Sequence, residues 1–358
     1  MRIGVYALAK NEAKHAAEWA AACAEADVRV VTDTGSTDGT QERLAEAGVD
    51  VRTGSVCPWR WDEAHNLSLH HLPPDLDVAF RIDLDERPAP GWRDVVEREF
   101  GRDDANCLVY RYVYSRKPDG SPGLVFHLDR CHARAGFRWT MPTHEGLVCW
   151  NGEKRQRIAD GLEVHHHRDP GKRHVTDLSL LQVAIREAPN DARAWWYFAR
   201  ELDYAGSPTA AGAFADYLSK PGGTATERAY ALRVLARLTN RAEYLGRAAE
   251  EAPHEPDAWE RLALAAYHAA DWESCLTFAR QAIAGRAMSH ATDPQAKTRA
   301  HELASIALWS LDRRPEALPH AREAAAGLPG DDRVARNLAD MEALCLSSST
   351  SPMPSPTA

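Results

Sequence analysis

Several absences narrow the field before any motif is considered. The chain has no basic excess: 43 Lys and Arg stand against 52 Asp and Glu over 358 residues, a formal net charge of −9. That argues against general nucleic-acid binding, which needs a basic face for the phosphate backbone. A local basic pocket for a phosphorylated small molecule is still compatible with it. The seven cysteines (Cys23, Cys57, Cys107, Cys131, Cys149, Cys275, Cys345) form no Cys-x-x-Cys pair, and their number is odd. They read as reduced thiols in a cytoplasm. No apolar run is long enough to span a bilayer. The run Ile3–Ala9 is short, has no cleavage-like exit and leads into Lys10-Asn11-Glu12, so it reads as a first strand rather than a signal peptide. Glycine is missing from Ala7-Leu8-Ala9-Lys10-Asn11-Glu12, where a Gly-rich phosphate loop would follow that strand. The length suggests two or three domains.

What is present centres on Phe80-Arg81-Ile82-Asp83-Leu84-Asp85-Glu86. Residues 77–82 read as a short buried strand bounded by Pro73-Pro74 and by Pro88 and Pro90. Three carboxylates follow within four residues. Such crowding raises the cost of ionising each of them. It makes sense if a hard divalent cation, Mn²⁺ or Mg²⁺, sits there and holds phosphate oxygens of a substrate. Asp83 and Asp85 share one face of an extended segment, because side chains alternate with period two.

The first half alternates strand and helix. Ile3–Ala9 is a strand and 12–26 a helix. Val28–Asp33 is a second strand. Asp38 with Gln41 resembles a capping box opening a helix through Ala47, and 49–51 is a third strand. This is the βαβ pattern of a parallel sheet. Ligands of such sheets gather at the carboxyl ends of the strands, where Asp33 and Asp83 both fall.

Lys10-Asn11-Glu12, then Thr32-Asp33-Thr34-Gly35-Ser36-Thr37-Asp38-Gly39-Thr40, then Asp83-Leu84-Asp85-Glu86 resembles the family 2 glycosyltransferases of GT-A type. Within them it is similar to the branch with C-terminal tetratricopeptide helices. The likeness covers roughly the first 90 residues well, weakens to about residue 170 and is general beyond. It implies an α/β domain of GT-A type, the Rossmann-like fold of nucleotide-diphospho-sugar transferases. It also implies a nucleotide-sugar donor, usually a UDP-sugar, and a divalent metal bound through the Asp-x-Asp. By the same likeness Lys10 lies near the nucleotide and Asp33 contacts the base. Asp83 lies near ribose and metal, and Asp85 is the direct metal ligand.

Cys57-Pro58-Trp59-Arg60-Trp61-Asp62-Glu63-Ala64-His65-Asn66 resembles the family segment that ends in Arg-Asn, with His65 in the basic position and Asn66 after it. A histidine carries full charge only when its pKa is raised, so a diphosphate contact there is weaker or pH-sensitive. Trp59 and Trp61 suit either stacking on a sugar or core packing. Residues 107–114 and 124–128 are strand-like, with a turn between them. Phe137–Gly146 resembles an aromatic segment ending in His-Glu. An inverting transfer needs a base for the acceptor hydroxyl, and Glu145 is the first candidate, His144 the second. Residues 162–169 read as a last strand ending in His165-His166-His167. Many enzymes of this type complete the metal site with a late histidine. His165 and His167 share a face and are taken as the pair, although a one-residue shift in register selects His166.

After Arg168-Asp169-Pro170-Gly171 strand signals vanish, and alanine, Leu, Arg and Glu recur at helical spacing. Ala188-Pro189-Asn190-Asp191-Ala192-Arg193-Ala194-Trp195 matches Ala252-Pro253-His254-Glu255-Pro256-Asp257-Ala258-Trp259, with the two tryptophans 64 residues apart. That is near two units of about 34, the tetratricopeptide period. Such repeats stack into a quasi-linear array that packs alone, pairs with a second copy, or offers a face to a peptide or protein. The tail 347–358 is rich in Ser, Pro and Thr and is expected to be disordered.

The domains expected are therefore a GT-A domain at 1–172, an all-α tetratricopeptide-like domain at 173–346 and the tail. The function expected is transfer of a sugar, with inversion, to a hydroxyl of a sugar, peptide or protein acceptor. One rival is a repeat-bearing scaffold with a non-catalytic first domain, favoured by the His65 departure. Another is a nucleotidyltransferase, ranked lower because the glycine-rich loop is lacking.

Overall fold

A computed structural model describes residues 1–167, 169, 177–286 and 293–348. The chain divides into two compact units, Met1–Glu187 and Ala188–Ala358. The boundary expected at 172/173 lies outside the described residues.

The first unit runs β1 (Ile3–Ala9), α1 (Ala13–Ala22), β2 (Val28–Asp33), α2 (Thr40–Glu46), β3 (Asp50–Thr53), α3 (Trp61–His71), β4 (Val78–Arg81), β5 (Glu86–Pro88) and α4 (Trp92–Glu99). It continues with β6 (Cys107–Val113), β7 (Val125–Ala133), β8 (Phe137–Thr140), β9 (Gly146–Cys149), β10 (Gln156–His166) and α5 (Leu178–Glu187). Eight strands form one mixed sheet in the order β3-β2-β1-β4-β7-β6-β10-β5, and β8 pairs with β9 apart from it. β3, β2, β1 and β4 are parallel, as the βαβ pattern predicts. β7 enters antiparallel between β4 and β6, so the sheet is mixed.

β1 is almost wholly buried because helices cover both faces of the parallel part, and a strand so placed needs apolar residues throughout. The core gathers Trp19, Phe80, Trp92, Val96, Leu108 and Tyr110. Phe80 meets Trp92 at 5.7 Å and Tyr110 at 5.2 Å between ring centroids. Two of the buried indole N–H groups find backbone partners: Trp19 Nε1 donates to Ile82 O at 2.9 Å and Trp92 Nε1 to Ala22 O at 3.2 Å. The Trp19 bond ties α1 to the segment entering Asp83.

Several elements differ from expectation. α2 starts at Thr40 behind Gly39, whose φ of +86° only glycine adopts readily. Asp38 accepts from the backbone N–H groups of Ala13 and Thr40, while Gln41 reaches Asp33 instead of closing a capping box. The last strand begins at Gln156, six residues before the expected Leu162, and its register against β6 shifts between Ile158 and Glu163.

Among its described residues the second unit is helical: α6 (Ala192–Tyr204), α7 (Ala210–Ser219), α8 (Ala225–Thr239), α9 (Glu243–Glu251), α10 (Pro256–His268), α11 (Trp272–Ala284), α12 (Ala296–Ser310), α13 (Arg314–Gly327) and α14 (Asp332–Ser348). The matched octapeptides adopt the same local bond: Trp195 Nε1 donates to Pro189 O and Trp259 Nε1 to Pro253 O, each at 2.9 Å. Tyr230 packs on Trp196 at 5.2 Å. α14 carries the chain to Ser348, two residues into the expected tail, and the rest of that tail lies outside the described residues. No helix among the described residues is long and apolar enough to cross a membrane.

Candidate functional site

The carboxyl ends of β1, β2 and β4 meet at a cavity of about 540 Å³ lined by Leu8, Ala9, Lys10, Glu12, Thr34, Trp59, Trp61, His65, Arg81, Asp83, Leu84 and Asp85. A parallel sheet opens a crevice at this edge because adjacent connections leave to opposite faces. Lys10 stands on the loop after β1 and is exposed.

Asp33 closes β2, is fully buried and is not itself in the cavity lining, which its neighbour Thr34 joins. Its Oδ1 accepts from the backbone N–H groups of Gly35 and Ser36, each at 2.9 Å, and from Gln41 Nε2 at 2.8 Å. Its Oδ2 is buried with no hydrogen-bond partner. A carboxylate oxygen left in that state costs free energy unless something donates to it.

Asp83 lines the cavity and is engaged by two arginines. Arg81 holds it in a two-bonded fork, Nε to Oδ1 at 3.0 Å and Nη2 to Oδ2 at 2.9 Å, and Arg130 Nη1 reaches Oδ2 at 3.0 Å. Burial pushes its carboxyl upward, but the two guanidinium groups outweigh that and hold it well below the ordinary carboxylate range. Arg130 also contacts Glu86 Oε1 at 3.2 Å, and Tyr112 donates its hydroxyl there at 2.7 Å. Glu86 is buried, and burial together with the charge of Asp83 pushes its carboxyl upward.

Asp85 meets a different histidine from the expected pair. Nε2 of His166 lies 3.4 Å from Asp85 Oδ2, while His165 contacts Glu163 at 2.9 Å and Arg116 at 2.9 Å. The backbone N–H of His167 donates to Asp85 O at 2.7 Å. The reason is register: Val164 pairs with Tyr112 and His165 with Val113, so His166 shares its face with Tyr112 and Tyr114. The ring of His166 stacks on Tyr114 at 5.0 Å, and its Nδ1 lies 3.2 Å from Tyr114 O. Its pKa is raised, chiefly by its bond to Asp85.

These residues fit a hard divalent ion in a limited way. A ligating imidazole commonly anchors its other nitrogen on a carbonyl, as His166 does on Tyr114. One carboxylate and one imidazole then leave positions for phosphate oxygens. Among the described residues no three His, Cys, Asp or Glu side chains are already gathered for a metal. Asp83, the expected third, is held by Arg81 and Arg130.

His65 departs from its expected role. It is 1% exposed, and burial pushes its pKa down to about 4. It is therefore uncharged at neutral pH and lies between Trp61, at 6.1 Å, and Trp139, at 5.4 Å. Asn66 is absent from the cavity lining. Its amide donates to Trp139 O at 2.9 Å and accepts from Trp139 N at 2.8 Å, which uses both ends of the side chain to fasten α3 to β8.

Glu145 Oε1 accepts from Arg81 Nη1 at 2.9 Å and lies 3.2 Å from His65 Nε2. Burial pushes its carboxyl up, but His65 and Arg81 pull it down further, to well below its ordinary value. A carboxylate so held is a weak base. It lies behind the lining residues His65 and Arg81, both of which it contacts. His144 precedes it at a backbone φ of +51° and is likewise outside the lining.

Sequence reasoning missed Arg81 and Arg130. Arg81 was findable, since it shares strand parity with Asp83. Arg130 was not, because only the register of β7 brings it there. Trp59 and Trp61, left between two roles, both line the cavity and meet edge to face at 5.1 Å.

No family model and no curated protein matches the chain. Among solved structures, glucosyl-3-phosphoglycerate synthase from Mycobacterium tuberculosis, in complex with Mn²⁺, uridine diphosphate and glucosyl-3-phosphoglycerate, is 23% identical, with a TM-score of 0.27. The match covers 32% of this chain and 44% of that one. The tetratricopeptide protein YrrB is 15% identical over 45% of this chain and 80% of its own, with a TM-score of 0.35. The Cut9–Hcn1 assembly is 14% identical over 47% of this chain, with a TM-score of 0.35, and the chain spans a third (33%) of its length. Likenesses of this extent are partial and say nothing about substrate or reaction.

Proposed function

We propose that the first unit is a GT-A type glycosyltransferase that uses Mn²⁺ or Mg²⁺ and a nucleotide-sugar, a UDP-sugar first, and transfers the sugar with inversion to an acceptor hydroxyl. The helical unit is proposed as a tetratricopeptide-like repeat that selects a sugar, peptide or protein acceptor or pairs with a second copy. The observation that carries the reading is the half-used carboxylate of Asp33. One oxygen is saturated and the other waits for a donor, such as the imide N–H of a uracil, at the edge that also carries Asp85 and His166.

In this reading Lys10 and Asp33 hold the nucleotide, and Asp85 with His166 hold the metal. The bound ion would neutralise the diphosphate where charge develops as it leaves. The acceptor oxygen bonds to the anomeric carbon as the bond from that carbon to the diphosphate oxygen breaks, and the electron pair leaves on the nucleoside diphosphate. Glu145 takes the acceptor's proton only if the diphosphate first draws Arg81 away from it. A second reading, a repeat-bearing scaffold with a non-catalytic first unit, is favoured by the neutral His65 and by the closed Arg81–Asp83–Glu145 network.

Thermal unfolding with UDP and Mn²⁺, separately and together, decides between them. A ligand that binds only the folded state adds about 2.7 kcal/mol at a hundredfold excess over its dissociation constant. A joint shift in the wild type that disappears in Asp85→Ala supports the transferase. No shift with UDP, GDP or CDP plus metal removes it and leaves the scaffold.

A further inference from the structure

Two imidazoles face one another in the helical unit, remote in sequence from every residue used above. His301 on α12 and His320 on α13 bring their Nδ1 atoms to 2.9 Å, with ring centroids 5.0 Å apart and planes at 42°. Neither ring is fully buried. A neutral imidazole has one N–H and one lone pair, so one ring donates from Nδ1 and the other accepts there. The pair thus holds a single proton between two converging nitrogens, and a metal ion suits the same position. Two nitrogens bound at about 2.0–2.1 Å to one tetrahedral ion stand about 3.3 Å apart, so the rings need to part by less than about 0.5 Å and to turn until both Nδ1 lone pairs meet at the ion. We propose that His301 and His320 form a binding site for a borderline-soft divalent ion, Zn²⁺ above all, that ties α12 to α13.

The surroundings carry charge of both signs. Glu323 lies one turn beyond His320 and acts electrostatically on both rings. Glu316, one turn before, also acts on His320, but it is held by Arg313 at 2.7 Å and approached by Arg280 at 3.6 Å. Lys297 near His301 and Arg280 near His320 oppose the ion. Burial holds both imidazoles below their ordinary pKa, which leaves lone pairs available at neutral pH. No third ligand is already gathered among the described residues, so water or a turned Glu323 would complete the shell. Imidazole ligands select Zn²⁺ over Mg²⁺ and Mn²⁺. The proposal is therefore independent of the carboxylate site in the first unit.

Zn²⁺ titrated calorimetrically into the full chain carrying Asp85→Asn and His166→Asn should bind at one site. Adding His301→Gln or His320→Gln should each weaken that binding about tenfold or more, at least the loss seen when an outer-shell partner is removed. Equal affinity in the parent and both variants overturns the proposal. A second readout needs no variant: in the unsubstituted protein, Zn²⁺ should slow carbethoxylation of His301 and His320 by diethyl pyrocarbonate, mapped by peptide mass. Unchanged modification of both residues with saturating Zn²⁺ also overturns it.

Discussion

Two buried imidazoles, His65 and His132, contribute to the response of the first unit to acid. Burial lowers the pKa of each to about 4, so the fold excludes a proton that the unfolded chain takes up below about pH 6.5. Their contribution is present above pH 6.5 and is lost as pH falls toward 4. It amounts to up to about 3 kcal/mol for each ring. His166 has the opposite sign. Its raised pKa makes the Asp85 pair stabilising below about pH 6.5, and that contribution fades as pH rises through the folded-state value. Urea unfolding between pH 4.5 and 6 should therefore show stability climbing steeply with pH. In His65→Gln the slope should fall by about 1.4 kcal/mol per pH unit, and an unchanged slope would show that His65 titrates normally. Arg81 matters through charge rather than protonation. Its side chain is 6% exposed and serves two carboxylates. Arg81→Met leaves Glu145 without its main counter-charge and should cost about 3 kcal/mol or more. A urea midpoint equal to wild type would remove this network as a structural element.

At the scale of elements, the turn after β2 separates structure from recognition. Asp33 Oδ1 holds Gly35, Ser36 and Gln41, while Oδ2 is left over. Asp33→Asn can keep the accepting oxygen toward the turn and places an amide N–H₂ where the ligand is to be accepted. Stability should change by less than about 1 kcal/mol, whereas the UDP-dependent thermal shift should vanish. Retention of that shift would separate Asp33 from the nucleotide. In the helical unit, Thr224 and Glu227 form a full capping box on α8. Thr224→Ala should cost about 1 kcal/mol, measured by the same unfolding. β1 and β2 were legible residue for residue, because their apolar, valine-bearing runs are each closed by a polar turn. α3 was missed: its N-cap is Arg60, whose side chain makes no capping bond, and its Trp, His and Asn residues read as a motif. The start of β10 was missed because Gly161, at φ +88°, breaks the alternation where the register shifts. The choice among three adjacent histidines was beyond sequence, since one residue of register exchanges the faces.

At the scale of the whole molecule, the carboxylate–imidazole pair and the paired imidazoles belong to separate units and are proposed for ions of different hardness. The carboxylate of Asp85 with one imidazole is proposed for Mn²⁺ or Mg²⁺ with a diphosphate, whereas His301 and His320 offer nitrogen alone. Hydrogen exchange read by mass spectrometry resolves the two in one unmodified chain, because local opening is reported peptide by peptide. UDP with Mn²⁺ should slow exchange in peptides covering β2, the Thr34–Thr40 turn and Ile82–Glu86, and leave α12 and α13 unchanged. Zn²⁺ alone should slow exchange in α12 and α13. Each ligand stabilises only what its binding requires to stay folded, so the size of the protection follows ligand excess over its dissociation constant. Protection of α12 and α13 by UDP with Mn²⁺ would mean that the nucleotide site reaches beyond residues of the first unit. Absence of protection at the Thr34–Thr40 turn would detach Asp33 from nucleotide binding and return the scaffold reading to first place.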